Sequence, residues 1–221
     1  RDRGTALAAE LKPGSTVRMP HARTARAIAT AVTLRAALVD ALGAEQDAEL
    51  GPLYPEPWFD NLRYSLHGDG VDTSDAVTAR LAWRGDEEPD WVREYDRFDQ
   101  DYRAAAAAGH PIEYWLRNPT LYFEPPHVAA HRMWRGIAAV GEDRPEELVV
   151  LAATHSAPMR AFLATALGSD PGEPDNLEAI RVRVHPDDTA DIAFREHEIH
   201  ARIPPQLPPW IDRAWFDGFG R

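Results

Sequence analysis

The 221-residue sequence contains no cysteine. Disulfides, zinc–thiolate sites and cysteine nucleophiles are therefore excluded. It holds no apolar run of the length a membrane-spanning helix requires, and its opening residues carry no secretory-signal pattern. A soluble, cytoplasmic protein with no membrane partner is the expectation. Lysine is almost absent: of 24 basic residues only Lys12 is a lysine, so nearly every cation is a guanidinium. Positive charge as a whole is scarce, with 36 acidic residues and a formal net charge of −12. A nucleic-acid backbone is held by a net basic face, so no nucleic-acid partner is expected. A local pocket of arginines stays open.

Apolar residues make up 44% of the sequence, enough for a globular chain of this length to bury a real core. The expectation is one domain over 1–221 with an insertion at about 51–124. Residues 4–12 read as a short helix, 15–19 (STVRM) as a strand closed by Pro20, and 22–42 as a long Ala- and Leu-rich helix stopped by Gly43. Residues 51–72, GPLYPEPWFDNLRYSLHGDGVD, gather proline, glycine and aromatics and read as irregular. Two helices are expected over 73–109. In the second, Trp91, Tyr95, Phe98 and Tyr102 recur at three- and four-residue steps, the stripe of a core-facing helix. Residues 110–124 read as an aromatic-rich loop, and 125–140 as a helix with Pro126 at its start. LEAIRVRVHP (177–186) and TADIAFREHEI (189–199) alternate as two strands joined at Asp187-Asp188. The proline-rich tail that follows is expected to lie over the surface. This order gives an α/β layered domain in which the 51–124 insert is placed to cover a site.

Residues 148–168, LVVLAATHSAPMRAFLATALG, join two patterns at one histidine. Leu148–Ala153 is a short apolar run suited to a strand buried on both faces of a parallel sheet. Met159, Phe162, Leu163, Ala166 and Leu167 then follow helical spacing, with Pro158 in the first turn and Gly168 as the stop. His155 falls at the strand's carboxyl end and a helix start, where open α/β sheets bind ligands and where backbone N–H groups favour an anion. The alternative is a histidine that merely caps the turn. Strand STVRMP leads in the same way into HARTARAIATA, which puts Arg23 at a helix start. If the two strands are parallel neighbours, Arg23 and His155 converge into a phosphate site.

Three segments resemble the histidine phosphatase superfamily, the phosphoglycerate-mutase-like fold. THSAPMRAFLATALG resembles the segment around that family's second catalytic histidine. MPHARTARAIATA resembles its Ser-Pro-x-x-Arg-Ala-x-x-Thr-Ala segment, and DRGTALAAEL the Thr-x-x-Gly-x-x-Gln-Ala helix before it. His131-Arg132, on a helix ahead of an apolar strand, fits the family's layout. The resemblance implies a three-layer α/β sheet with helices on both faces. It implies a phosphoric monoester hydrolase acting on a small phosphorylated metabolite, with inorganic phosphate as product and no cofactor or metal. In the family a histidine of an Arg-His-Gly motif becomes phosphohistidine, arginines grip the phosphoryl oxygens, and a carboxylate protonates the leaving oxygen. On this chain the resemblance assigns phosphate binding to Arg23, His155 and Ser156, and catalysis to His155 with Glu56 as proton donor and Asp60 behind it.

The sequence contains no Arg-His-Gly and no initiator Met. The expectation is a truncated chain whose nucleophile lies upstream of Arg1. The alternative is an inactive module of the same fold that binds an anion or a partner. Met19-Pro20 replaces the family's Ser-Pro, and Ser156 stands where the acid-phosphatase branch has Asp, which points to the mutase-like branch. His127 and His131 are four apart on one helix, a metal-ligand spacing, but no third ligand is evident. His197 and His200 read as surface residues. His21 stands beside the phosphate site or faces solvent, and Arg160 pairs with a carboxylate or with phosphate.

Overall fold

The structure, a computed structural model, describes residues 2–43, 48–66, 69–85, 88–120, 122–141 and 147–204. It is mixed α/β, with seven α-helices and sheets of three, two and three strands among the described residues. None of the described helices is long and apolar enough to cross a membrane. The chain forms two compact units, one of Arg1–Asn61 with Met133–His155, the other of Leu62–Arg132 with Ser156–Arg221.

The first unit is built on a parallel sheet. Strand β1 (Ser15–His21) lies between β2 (Ala48–Pro55) and β5 (Leu148–Val150). Helix α1 (Asp2–Glu10) packs on α2 (Ala25–Leu42). Their approach is close: a Cβ added at Gly4 would lie 2.5 Å from the Ala37 Cβ. Val17, Met19 and Leu38 are fully buried in the shared core, each worth roughly 1.5–3 kcal/mol by its transfer from water. Helix α2 stops at Gly43, whose positive φ of 60° suits glycine and whose N–H closes on the Val39 carbonyl.

Three expectations are corrected in this unit. Residues 51–55 are not irregular but complete β2. Gly51 and Pro52 fall where the register jumps from Val17↔Leu50 to Met19↔Leu53, and β2 is the edge of its sheet. A proline is tolerated at such an edge and bulge, so the turn-like composition is misleading. Pro20 does not close β1: its carbonyl still accepts from the Ala153 N–H at 3.0 Å, and the strand runs on to His21. Strand β5 is half-buried, not covered on both faces. It is short, yet Leu151 N–H to Arg18 O and Ala22 N–H to Ala153 O extend its parallel pairing with β1.

The second unit opens with an antiparallel pair, β3 (Arg63–Leu66) and β4 (Asp69–Asp72), again inside the stretch expected to be irregular. Asp72 then caps α3 (Thr73–Ala82), its carboxylate accepting from the Ser74 N–H at 2.8 Å. Helix α4 (Asp90–Ala107) buries Tyr95 and Phe98 and packs Trp91 and Tyr102 against the same core, as the aromatic stripe predicts. The expected loop at 110–124 contains α5 (Pro111–Arg117), started by Pro111, whose fixed φ suits a first turn. Helix α6 (Pro126–Val140) begins in this unit and ends in the first.

The core gathers Tyr64, Tyr95, Phe98, Trp115 and Phe123, with Phe98 and Phe123 stacked at 4.0 Å between centroids. Beside it, Arg132 and Glu124 form an ion pair with both side chains fully buried. Arg132 donates at 2.6 and 2.9 Å, the Arg63 N–H donates to the same carboxylate, and Trp115 Nε1–H donates to the Glu124 carbonyl. Helix α7 (Ser156–Leu167) follows, then the antiparallel sheet β6 (Arg181–Val184), β7 (Thr189–Phe194) and β8 (His197–Arg202). The run 189–199 is thus not one strand. It turns at Arg195, where φ is 54°, and Arg195 is held there by two bonds to Glu178 and by the Pro171 and Glu173 carbonyls. Those bonds offset the roughly 1 kcal/mol that a left-handed conformation costs a non-glycine residue. The proline-rich tail falls largely outside the described residues.

Candidate active site

The carboxyl ends of β2, β1 and β5 meet at one edge of the parallel sheet. The chain leaves β1 at His21 and enters α2 at Thr24 and Ala25. It leaves β2 at Glu56, whose N–H donates to the His21 carbonyl at 2.9 Å. It leaves β5 through Thr154, whose hydroxyl donates to the Phe59 carbonyl at 2.7 Å, and reaches His155. Parallel order aligns all three ends, so their loops are neighbours although far apart in sequence.

His155 is buried at 7% exposure and is fixed through both ring nitrogens. Arg26 donates from Nε to Nδ1 at 3.0 Å, and Thr24 Oγ1 lies 3.0 Å from Nε2. A guanidinium has only donors, so Nδ1 must accept and carry a lone pair. Nε2 therefore bears the proton and donates to Thr24. His155 is neutral in this arrangement. Thr24 is the α2 N-cap residue, yet its side chain does not cap the helix and serves the histidine. Arg26 is exposed, and among the described residues it donates only through Nε. Its two Nη groups make no hydrogen bond among the described residues.

Arg23 is engaged elsewhere. Its backbone N–H and its Nε each donate to Asp60, both at 2.7 Å, and an Nη lies 2.6 Å from the same carboxylate. Asp60 is nearly buried at 8% side-chain exposure, whereas Arg23 is 49% exposed. The β1–β5 pairing brings Arg23 and His155 to one sheet edge as predicted, but the guanidinium on the histidine is that of Arg26. A signal for it stands in the sequence: Arg26-Ala27-Ile28-Ala29-Thr30-Ala31 reads Arg-Ala-x-x-Thr-Ala with no gap. Side chains lean toward a helix N-terminus, so a residue in the first turn of α2 reaches back to the strand ends.

Glu56 caps the short 3-10 turn Pro57–Phe59, accepting from the Trp58 N–H at 3.3 Å. Burial pushes its carboxyl above the usual range; that bond opposes the shift, and the nearby Asp60 charge adds to it. A carboxyl that holds its proton longer than usual is suited to donate it. His21 is buried and its Nδ1 lies 2.9 Å from the Ala22 carbonyl. Nδ1 is then the donor, which leaves Nε2 as the basic nitrogen. The turn carrying Glu56 and Asp60 rests on α6, where a Cβ at Gly136 would come within 2.9 Å of Phe59 and Trp58.

The remaining sequence candidates are placed as follows. Ser156 is the first residue of α7 and belongs to the second unit. Arg160 is taken by carboxylates, bonding Asp170 and Glu173. His127 and His131 lie on α6, and the His127 ring is held below the usual histidine range by burial and then by His131. Trp58, Phe59 and Trp115 are at least half-buried, as packing residues are. No protein-family model, curated protein or solved structure matches the chain.

Proposed function

We propose that the sheet edge formed by β2, β1 and β5 binds the phosphoryl group of a small phosphorylated metabolite, as part of a phosphohistidine-type phosphatase. The observation that carries the reading is the Arg26–His155–Thr24 arrangement at the joint carboxyl ends of three parallel strands. Transfer of a phosphoryl group spreads charge over its oxygens, and catalysis is then mostly positioning and charge stabilisation. The free Nη groups of Arg26 supply a two-pronged donor, and the first N–H groups of α2 add positive potential beside it. His155 donates its Nε2–H to Thr24 Oγ1, which leaves the Thr24 hydroxyl proton for a phosphoryl oxygen. Glu56 protonates the leaving oxygen. Arg23 shapes the site through Asp60.

This reading includes the three-layer phosphoglycerate-mutase-like arrangement, a cytoplasmic setting and a nucleophilic histidine of the Arg-His-Gly kind beyond the present sequence. The second reading is an anion-binding module without transfer, favoured by the bidentate grip of Asp60 on Arg23, which leaves one guanidinium fewer for phosphate.

Two measurements separate the readings. Phosphate and vanadate binding to the chain should be detectable by calorimetry and weaken about tenfold or more in Arg26→Ala and His155→Ala. Unchanged binding in both variants removes the site. Protein from its natural source, treated with a labelled phosphomonoester and quenched in base, should retain acid-labile label if phosphohistidine forms. Binding without label leaves the module reading.

A further inference from the structure

We propose that His185, Asp191 and His200 form a binding site for a divalent transition-metal ion of the zinc type. The three residues belong to the antiparallel sheet of the second unit and take no part in the site described above. Asp191 on β7 stands directly opposite His200 on β8 in the strand register. His185 follows the end of β6, and its backbone N–H donates to the Thr189 carbonyl at 2.8 Å, which fixes it beside β7. One carboxylate therefore meets both rings: Oδ2 is 2.8 Å from His185 Nε2, and Oδ1 is 2.8 Å from His200 Nδ1. All three candidate donor atoms lie within 4.8 Å of one another.

Two imidazole nitrogens and one carboxylate oxygen form the mixed donor set that zinc, nickel, copper and cobalt prefer; calcium and magnesium favour oxygen alone. Ligand atoms about 2.0–2.2 Å from a tetrahedral zinc stand roughly 3.4 Å apart. The present bonds need open by only about half an ångström for an ion to enter. Each ring then moves its proton to the other nitrogen, and the metal takes the place of two hydrogen bonds. Three protein ligands leave a fourth position for water or a substrate oxygen.

The arrangement is not a chance pairing of surface charges. Side chains alternate across a strand, and Arg183, His185, Thr189, Asp191, Glu198, His200 and Arg202 share the outward face by register. Arg183 stands opposite Asp191 in the strand register, yet the Asp191 carboxylate accepts from the two imidazoles. Asp187, in the β6–β7 turn, adds negative charge near His185.

The test uses the full chain with Zn2+ alone by calorimetry and with Co2+ alone by visible absorption. One equivalent should bind. His185→Ala and His200→Ala should each raise the Kd tenfold or more, and Asp191→Asn should do the same, with the thermal unfolding of the metal-free variants near wild type. His110→Ala, an exposed histidine elsewhere, should bind as wild type. Histidine ring NMR should move for residues 185 and 200. No saturable binding up to millimolar metal overturns the proposal. So does a loss of binding that follows His131→Ala and spares His185→Ala and His200→Ala, since that places the ion on α6.

Discussion

Arg26 donates a hydrogen bond from Nε to Nδ1 of His155 at 3.0 Å, across 129 residues of sequence. This one bond fixes the tautomer of the histidine and brings a free pair of Nη groups to the sheet edge. In Arg26→Ala the ring keeps only Thr24 of these two partners and can adopt either tautomer. The 15N shifts of the His155 ring should show a protonated Nε2 and an unprotonated Nδ1 in wild type. In the variant they should show a mixture. Arg26→Lys should restore little, because an ammonium lacks the planar fork. Wild-type ring shifts in Arg26→Ala would sink the assignment.

Asp60 should matter for stability more than for chemistry. It is buried and accepts from both the backbone and the side chain of Arg23. Asp60→Ala leaves the Arg23 N–H and guanidinium without that acceptor and empties a nearly buried position, a loss of roughly 1–3 kcal/mol. Arg23→Ala should cost less, because Arg23 is half exposed and solvent screens its pairing. Urea unfolding of the two variants checks the order; an equal or reversed loss would show that Arg23 carries the energetic weight.

Glu56 supplies a pH signature. Its folded carboxyl is raised, chiefly by burial. The folded state therefore disfavours the ionised form, and this contribution to stability is full in acid. It is lost as pH rises through the ordinary glutamate value of about 4.5 toward the raised folded one. Glu56→Gln should flatten stability over that window and, in the proposed phosphoryl-transfer reaction, should lower turnover most on the acid side of the profile, where wild-type Glu56 still holds the proton it donates. An unchanged stability profile in the variant would mean that Glu56 titrates as an ordinary surface carboxylate.

The parts of this molecule that were legible in the sequence are those with one period and one partner face. Leu148–Leu167 reads correctly as strand, histidine and helix because the apolar spacing changes at the histidine itself. The aromatic stripe of α4 reads correctly because Tyr95 and Phe98 are buried on one face. Strand β2 was hidden by Gly51 and Pro52, which a bulged edge strand accommodates. The turn at Arg195 was hidden because its left-handed backbone is held by Glu178, a contact that local propensity does not encode. Arg26 was passed over for Arg23 because Arg23 is nearer the strand end. The helix N-terminus makes the later residue point back to His155, and Asp60, distant in sequence, claims the earlier one.

The Glu124–Arg132 pair should dominate the stability of the second unit. Both side chains are fully buried, and the carboxylate also takes the Arg63 N–H. Glu124→Ala leaves a buried guanidinium without its carboxylate, which costs about 3–5 kcal/mol. A paired replacement, Glu124→Leu with Arg132→Met, should recover much of that loss, since apolar groups of similar volume carry no desolvation penalty. Recovery smaller than about 1 kcal/mol would instead assign the stability to the Arg63 hydrogen bond and the surrounding packing.

Gly136 links the first unit's helix to its site. A methyl group there meets the Phe59 ring and the Trp58 Cβ within 2.9 Å, too close for any real contact. The turn Pro57–Phe59 must then move, and Glu56 and Asp60 flank it on either side. Overpacking of this kind costs roughly 1–3 kcal/mol. Gly136→Ala should therefore lower stability and also weaken anion binding, although residue 136 belongs to a helix and not to the sheet edge. Phe59→Leu in the Gly136→Ala background removes the ring clash but not the one with the Trp58 Cβ, and should restore binding in part. Stability lost with phosphate affinity intact in Gly136→Ala would separate the turn from the anion site and confine that site to Thr24, Arg26 and His155.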